Sequence, residues 1–430
     1  MACDCRRCTM SATLESPTQA PTWTCPFCAL LCDGFDLAAN AAGSAPSLNG
    51  STCPRARQAL AGLHAAGSGP WVDGQAATHD AAITAAVQRL GAWRAPLFGG
   101  GGTDIAGARA LYRLAARCEA ITDHADGDGL FRALRALQDR GQYTVTLGDA
   151  RAQAELVVCV GTPASAYPEL FRRLGLAQAG SPCRELVFLG VPPPAHAPHA
   201  MPVTAVAGCG DIATDLQALA AAVDGRSFHD LLHTDVAGLA ARLKASPYSV
   251  LVIEPGTLGP QGALLMEMAN RIVGQLNRKT RSALLPLGGN DGAAALNQTL
   301  TWLSGLPLRT RVGAQGLRHE PLLYGSSKLL ADGAVDGLLW VMSFNAERLP
   351  PANKLPCIVL GPPAMGPRLQ AASAANTVFI PVATPGLNAA GHLFRTDGPV
   401  VLPLQAHRDD GLPGVAAVAE AMLKALGAAA

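Results

Sequence analysis

The chain of 430 residues is long enough for about two to four folding units, and its 49% hydrophobic and 15% charged residues exclude a mostly disordered protein. No uninterrupted apolar run approaches the roughly 18 residues of a membrane-spanning helix. The 33 Lys and Arg residues balance 32 Asp and Glu residues to a net charge of +1, so the overall charge favours neither nucleic acid nor an acidic membrane as a partner.

Residues 1–22 combine low apolar content with Cys3, Cys5 and Cys8 and a stretch rich in Ser, Thr and Pro. This composition predicts a flexible tail with free thiols, adventitious metal binding being the alternative. Neither a secretory signal nor a twin-arginine signal is complete in the tail, so we expect a cytoplasmic protein. In a reducing compartment, the 12 cysteines of the chain are expected to be metal ligands or buried thiols rather than disulfides.

Residues 23–75 are predicted to form a small cysteine-rich lobe, because four cysteines occur there in the order C-x2-C-x3-C and then Cys-Pro. These cysteines are Cys25, Cys28, Cys32 and Cys53. Four thiolates are the usual ligands of a [4Fe-4S] cluster, and a Pro after the last cysteine is typical of bacterial cluster motifs. Zinc also binds four cysteines and stays the alternative. The spacing therefore predicts an iron–sulfur lobe that depends on its metal centre to fold.

Beyond residue 75, short apolar runs alternate with helical stretches rich in Ala and Leu. The runs predict strands at 96–98, 120–122, 156–160, 186–191, 250–254, 284–287, 338–342, 357–360 and 378–381. Helices are predicted at 104–118, 130–140, 211–223, 261–277, 292–304 and 413–427. This alternation is typical of several α/β domains with mostly parallel sheets. We place these domains at 76–335, with an exposed connector near 192–200, and a C-terminal α/β segment at 336–430.

Two loops that follow predicted strands are further candidate sites. The glycines at 99–102 precede a helix, where backbone N–H groups can bind phosphate, but they match no complete phosphate-binding motif and a tight turn explains them equally well. The acidic segment 123–129 lacks the downstream Glu of a calcium loop and is interpreted as solvated. Five scattered arginines are also interpreted as solvated surface, with interface anchors as the alternative: Arg172, Arg173, Arg309, Arg311 and Arg318. No complete catalytic signature is present.

The cysteine motif resembles that of a known family. The segment Trp23-Thr-Cys25-Pro-Phe-Cys28-Ala-Leu-Leu-Cys32-Asp33-Gly is similar to the cluster-binding start of the B subunit of formylmethanofuran dehydrogenase, a member of the molybdopterin oxidoreductase superfamily. Further similar segments, in the same order, extend the resemblance along nearly the whole chain: 133–141, 154–161, 296–302 and 391–397. The resemblance implies a molybdopterin oxidoreductase-like α/β fold.

The resemblance also implies where an active site would lie. In active members of the family, two pterin dinucleotides hold tungsten or molybdenum, a Cys or selenocysteine completes the coordination, and a His and an Arg assist CO₂ reduction. Gly129 and Leu130 stand where the family has the Cys and His, and Gly288-Gly289-Asn290 where it has Arg-Gly-His. Glycine has no side-chain ligand, and leucine can neither donate nor accept a proton. We therefore expect no catalytic residue and no bound molybdopterin or tungstopterin.

The replacement of these active-site side chains resembles that in the family's homologues from methylotrophic bacteria, which belong to formyltransferase/hydrolase complexes. The resemblance implies a noncatalytic structural subunit in tetrahydromethanopterin-linked one-carbon metabolism, from formaldehyde to formate. The implied partners are an amidohydrolase-like hydrolase subunit, a formyltransferase subunit and a carrier-associated subunit, without nucleic acid or membrane. The alternatives are an active molybdenum or tungsten dehydrogenase subunit, with Cys118 as the nearest substitute ligand, and a binding module stabilised by zinc.

Overall fold

The computed structural model describes residues 23–38, 45–208, 210–226 and 234–428. The predicted tail with Cys3, Cys5 and Cys8, and also Cys209, lie outside the described residues. The helices are α1 (Pro54–His64), α2 (His79–Ala92), α3 (Ile105–Arg117), α4 (Gly127–Arg140), α5 (Leu147–Gln153), α6 (Leu170–Arg173), α7 (Ile212–Val223), α8 (Thr234–Ala245), α9 (Gly262–Leu276), α10 (Ala293–Ser304), α11 (Ser326–Ala331), α12 (Met365–Ser373) and α13 (Val415–Ala428).

The strands are β1 (Asp36–Ala38), β2 (Ser47–Asn49), β3 (Trp71–Val72), β4 (Gln75–Ala76), β5 (Pro96–Gly102), β6 (Ile121–Thr122), β7 (Leu156–Val160), β8 (Glu185–Leu189), β9 (Val203–Val206), β10 (Tyr248–Ile253), β11 (Arg281–Pro286), β12 (Thr310–Gly313), β13 (Gly316–His319), β14 (Gly337–Met342), β15 (Cys357–Gly361), β16 (Thr377–Pro381), β17 (Gly391–Phe394) and β18 (Val401–Leu404). All nine predicted strands and all six predicted helices occur, most of them with shifted ends and β7 with the predicted ones. The apolar runs predicted these strands because β7, β10 and β14 are buried along their whole length.

Two large sheets organise the chain beyond the cysteine lobe. One has nine strands in the order β13-β12-β6-β5-β14-β15-β16-β3-β4, and its central strands from β6 to β16 are parallel. The other has five parallel strands in the order β11-β10-β7-β8-β9. These mostly parallel sheets, with helices packed against them, confirm the predicted α/β fold class. We call the two parts the nine-stranded unit and the five-stranded unit.

The sheets do not follow the order of the chain. Strands β14, β15 and β16 belong to the predicted C-terminal segment 336–430, yet they pair directly beside β5 and complete the nine-stranded sheet. The proline-rich connector near 192–200 joins β8 to β9, which are neighbours in the five-stranded sheet. The strands of the five-stranded sheet thus lie in the chain between strands of the nine-stranded sheet. Hydrophobic runs locate strands but do not indicate which strands pair, so this arrangement could not be predicted from them.

Several helix ends are fixed by side chains that the sequence places before the first turn. Thr78 caps α2, Asp104 caps α3, Thr146 caps α5 and Asp211 caps α7, each by accepting backbone N–H bonds from the helix. Within the described residues, no helix combines the length and the apolar character that crossing a membrane requires.

Candidate functional site

The cysteine lobe is built from one tight loop and the start of α1. The loop carries Cys25, Cys28 and Cys32 and is closed by a hydrogen bond of 2.8 Å from the Cys25 N–H to the Cys32 carbonyl. Leu31 turns the loop with a φ of +43°, and Cys53 comes directly before α1. All four cysteines are buried, with exposed fractions of 3–7%. The structure therefore brings the four predicted ligands into one buried group.

Burial favours the protonated form of the thiols in this group. Burial raises the pKa of the Cys25 thiol well above its ordinary value, and the neighbouring Cys28, Cys32 and Cys53 raise it further. Burial raises the pKa of Cys28 to about 11, although Arg55 acts in the opposite direction. Because thiolates are the form that binds metals, four grouped and buried thiolates need a compensating cation. Four thiols are the donors of a four-thiolate centre, but no three His, Cys, Asp or Glu side chains of the described residues converge on a single ion position.

The lobe contacts the nine-stranded unit and α10 on one side. The Ala29 N–H donates to Asn290 Oδ1 at 2.9 Å, and the Thr396 N–H donates to the Ala29 carbonyl at 2.7 Å. The Trp23 indole N–H donates to the Gly386 carbonyl at 2.5 Å. A Cβ atom on Gly386 would lie 3.1 Å from Pro26, so the lobe packs against this loop without a gap.

The lobe also contacts the five-stranded unit. Ser51 donates to Glu169 at 2.6 Å, Arg173 pairs with Asp33, and the Arg172 guanidinium lies 4.9 Å from the centre of the Phe35 ring. Both arginines contact the lobe, but only Arg173, whose side chain is 14% exposed, contradicts the interpretation as solvated surface, because the Arg172 side chain is 45% exposed. The lobe lies between the two units.

Both loops that the resemblance assigns to one active site line the same cavity. Gly129 and Leu130 begin α4, Gly288 and Asn290 follow β11, and all four line a cavity of about 660 Å³. This cavity lies beyond the carboxyl ends of β10 and β11, where open α/β sheets bind ligands. The structure therefore brings together two segments that are distant in the chain, as the resemblance implies.

The cavity wall at residue 129 leaves little room for a side chain. A Cβ atom on Gly129 would lie 2.9 Å from the Cα atom of Gly256, closer than such atoms normally approach. Leu130 offers only apolar atoms. These two positions supply neither a metal ligand nor a proton donor.

The polar side chains of the cavity connect it to the cysteine lobe. Thr162 donates to Glu254 at 2.9 Å, and burial raises the pKa of Glu254. The Asn290 amide N–H donates to the Tyr167 hydroxyl at 3.0 Å, while its oxygen accepts the N–H of Ala29 in the cysteine loop. Asn290 thus contacts the cavity and the cysteine loop at the same time.

The acidic segment after β6 is buried at its start, so its interpretation as a solvated loop is wrong for Asp123 and His124, whereas the Asp128 side chain is 65% exposed. Asp123 and His124 are each 1% exposed. Arg309 lies 3.3 Å from Asp123, pairs with Asp128, and is itself only 5% exposed, which also contradicts its interpretation as solvated surface. Burial raises the pKa of Asp123, against the effect of Arg309. Because Arg309 is 186 residues from Asp123, no local pattern could have predicted this pair.

A second charged group joins this segment to the turn before α10. Arg348 pairs with Asp126 and lies 2.9 Å from Asp291, which is also 3.9 Å from Arg55 of the lobe. Burial acts to raise the pKa of Asp126, but the hydrogen bonds from Arg348 hold it below its ordinary value. His124 accepts the Asp126 N–H on Nδ1 at 2.9 Å, and its Nε2 lies 3.2 Å from the Asp291 carbonyl.

The glycines at 99–102 extend β5, so they do not form the separate turn that the sequence suggested. Gly101 has a φ of +69°, and a Cβ atom there would lie 2.5 Å from Leu296 and 2.9 Å from His124. A Cβ atom on Gly100 would lie 2.6 Å from the Val341 carbonyl. Close packing around the end of β5 therefore explains why these residues are glycines.

Two kinds of curated relative are similar to the chain. The B subunit of the formyltransferase/hydrolase complex of Methylorubrum extorquens is 29% identical over an alignment of 334 residues that covers 75% of this chain and 87% of the relative. The B subunit of the tungsten-containing formylmethanofuran dehydrogenase 2 of Methanococcus maripaludis is 24% identical over 93% of this chain and 97% of the relative. No protein-family model matches the chain.

A solved structure shares the fold. It is the crystal structure of the formyltransferase/hydrolase complex FhcABCD from Methylorubrum extorquens with methylofuran. One of its chains matches with a TM-score of 0.72 and 27% identity, over 84% of this chain and 99% of the other.

Proposed function

This chain is a homologue of the B subunits of the formyltransferase/hydrolase complex and of formylmethanofuran dehydrogenase, and from this premise we propose that it is a noncatalytic structural subunit of a cytoplasmic formyltransferase/hydrolase complex. The crystallised relative is part of an assembly of several subunits that was solved with methylofuran. We infer that this chain assembles in the same way with formyltransferase, hydrolase and carrier-associated subunits. Its contribution is then to hold the active partners close together, which raises the effective concentration of a shared intermediate.

The observation that carries the proposal is the composition of the cavity wall. Gly129 and Leu130 lie where the resemblance places the metal-ligating Cys and the catalytic His, and the Cβ position of Gly129 is crowded by Gly256. Asn290, where the family has a His, is engaged by Tyr167 and the Ala29 N–H. A cavity with these groups supports positioning of neighbouring subunits better than it supports a redox reaction.

We also propose that Cys25, Cys28, Cys32 and Cys53 hold a [4Fe-4S] cluster, with zinc as the alternative. The support is the C-x2-C-x3-C and Cys-Pro spacing and the burial of all four thiols. The bound metal would supply the positive charge that makes four buried thiolates stable. Arg55 contributes to the same balance, because it donates to the Phe27 carbonyl of the loop at 2.6 Å and lowers the pKa of Cys28.

The proposal is tested by elemental and pterin analysis of the complex purified from its host, together with native mass spectrometry. We expect about four irons per chain, brown absorbance, no pterin dinucleotide, and co-purified formyltransferase and hydrolase subunits. Stoichiometric tungsten or molybdenum with bound pterin would contradict the structural role and support the alternative, an active dehydrogenase subunit. A colourless complex with one zinc per chain would contradict the cluster alone.

A further inference from the structure

A groove runs along the outer face of α9. This helix packs one face against the five-stranded sheet through Leu265, Met266 and Ala269 and contacts α4 and α7 on its two sides. The opposite face carries residues spaced alternately by four and three positions, and the spacing continues past the helix end: Leu264, Met268, Arg271, Gln275 and Arg278. This is the period with which a helix presents a continuous seam to another segment.

Two adjoining cavities follow this seam. Their volumes are about 950 and 700 Å³, and Asp224, Arg226 and Arg271 line both, so they form one continuous groove. In its first half, Tyr143 and Leu264 are 58% and 59% exposed. Single exposed apolar residues are common on any surface, but an exposed aromatic residue and an exposed leucine that line the same concavity are typical of a protein interface.

The second half of the groove is strongly basic. Its lining includes one carboxylate, Asp224, and five cations: Arg226, Lys244, Arg271, Arg278 and Lys279. Arg271 pairs with Asp224 at 3.0 Å, and Lys244 donates to the Ala222 carbonyl at 2.6 Å. The three remaining cations form no ion pair with any described residue.

Helix dipoles do not account for this charge. The helices α7, α8 and α9 end near the groove, and basic residues commonly balance the partial negative charge of a helix C-terminus. Each terminus carries about half an elementary negative charge, so together they offset fewer than two of the five cations. A net positive charge therefore remains in a groove that also has an apolar half.

We propose that this groove is the docking surface for an acidic, amphipathic segment of a partner subunit. This inference rests on the proposed function. Apolar residues of the segment contact Tyr143 and Leu264, and its carboxylates face Arg226, Arg278 and Lys279. The helical part of the seam, from Leu264 to Gln275, is about 17 Å long at 1.5 Å per residue, so it accommodates about three turns of a helix. Charge complementarity selects an acidic segment over a basic or neutral one.

The test is a double charge reversal, Arg278→Glu with Lys279→Glu, in the full chain. The partners are the formyltransferase and hydrolase subunits of the same genome. Association, measured by titration with the purified partner subunits, should weaken about tenfold or more at low salt and much less at 0.5 M salt, because salt screens the lost attraction. Leu264→Asp should weaken association at both salt concentrations. The matched control, Arg109→Glu with Arg117→Glu on the exposed face of α3, makes the same charge change and should leave affinity within about twofold of the native chain.

Hydrogen exchange of the assembled complex provides a second readout, since residues 262–280 should gain protection only when the partners are bound. Equal affinity of the native and Arg278→Glu/Lys279→Glu chains, or unchanged exchange in this segment, would overturn the inference and leave the proposed function intact. RNA binding to the groove in an otherwise assembled complex would also overturn it. A native chain that assembles with none of these subunits would contradict the proposed function itself.

Discussion

Arg348 lies between two carboxylates that come from different parts of the chain, Asp126 and Asp291. Asp291 adopts a φ of +51°, which is unfavourable for a residue with a side chain, and it is 5% exposed. Such a conformation persists only where the surroundings hold it. Here Arg348 and Arg55 approach its carboxylate from two sides, so the turn before α10 depends on charges from the lobe and from the nine-stranded unit.

His124 gives this region a defined dependence on pH. It faces Asp126, Asp291 and Arg348, and burial lowers its pKa from the ordinary value of 6.5. The unfolded chain therefore takes up a proton first as the pH falls, so this contribution to stability is complete above about pH 6.5 and is lost as the pH falls toward the folded pKa. The neutral variant His124→Gln lacks this dependence. We expect the free energy of unfolding to fall more steeply between pH 7.5 and 5.5 in the native chain than in the variant, as measured by denaturant titration.

The exposed His199 provides the control for this comparison. His199→Gln should keep the pH profile of the native chain. Parallel profiles for the native chain and His124→Gln would show that His124 titrates equally in the folded and unfolded states, contrary to this prediction.

The sequence identified the four candidate cysteines but not the buried ion pairs. The four cysteines were identifiable because three of them are close together and their spacing is characteristic. The ion pairs of Arg309 and Arg348 could not be predicted, because carboxylate partners lie 186 and 222 residues away. The position of Asp123 and His124 at the end of a predicted strand could have indicated that they are buried. The acidic and glycine-rich residues around them suggested exposure instead.

Among the elements, the cysteine loop is the one whose fold depends most on its side chains. Around the cysteine loop the described lobe has only two short strands, β1 and β2, and its buried apolar side chains, such as Phe27 and Phe35, belong to a core that it shares with the rest of the chain. A bound metal contributes folding free energy to such a segment, on the order of 10 kcal/mol for structural sites of this kind. The loop should therefore be the first element to lose its structure when a ligand is removed.

Cys28→Ser tests this dependence. We expect the variant to lose bound metal, to lose hydrogen-exchange protection at residues 23–53, and to associate less well with partner subunits, while the intrinsic turnover of those partners stays unchanged. Cys118→Ser, at the end of α3 and away from the lobe, should have none of these effects. Lost turnover in a variant complex that still assembles fully would show that Cys28 has a role beyond structure.

At the level of elements, hydrophobic patterns predicted the strands well and their partners poorly. Every predicted strand exists because a run of apolar residues is buried on both faces of a sheet. The glycines of β5 were misinterpreted because a glycine run usually breaks a strand, whereas here it lets β5 approach β14 and Leu296. The pairing of β5 with β14 needed the tertiary structure.

Across the whole molecule, the cysteine lobe connects the two sheet units. Arg55 shows this most directly, since it donates to the Phe27 carbonyl in the lobe and to the Ala166 carbonyl in the five-stranded unit at 3.2 Å, and approaches Asp291 before α10. If the four cysteines hold the proposed metal centre, that centre fixes the lobe and, through it, the two units relative to each other.

Arg55→Ala should therefore lower the free energy of unfolding by about 2 kcal/mol, since it removes hydrogen bonds of a charged donor and leaves Asp291 with one partner fewer. We also expect the single unfolding transition to broaden or split in denaturant, because the two units lose part of their connection. Arg57→Ala, two residues away and more exposed, serves as the control and should change stability by less than about 0.5 kcal/mol. Equal effects of the two variants would contradict a connecting role.

In the chain, the five-stranded unit lies between strands β6 and β12 of the nine-stranded sheet, and this order has a consequence during synthesis. The partner of β5, β14, is translated about 235 residues later, which takes tens of seconds at roughly 5–20 residues per second. The inserted unit is complete once residue 286 has left the ribosome, and can fold first. Until β14 is translated, the edge of β5 that pairs with it has no partner strand. The cysteine loop likewise lacks its contacts with Gly386 and Thr396 until those residues are translated. The hydrogen bonds that join the cysteine loop to Gly386 and Thr396 can therefore form only near the end of translation.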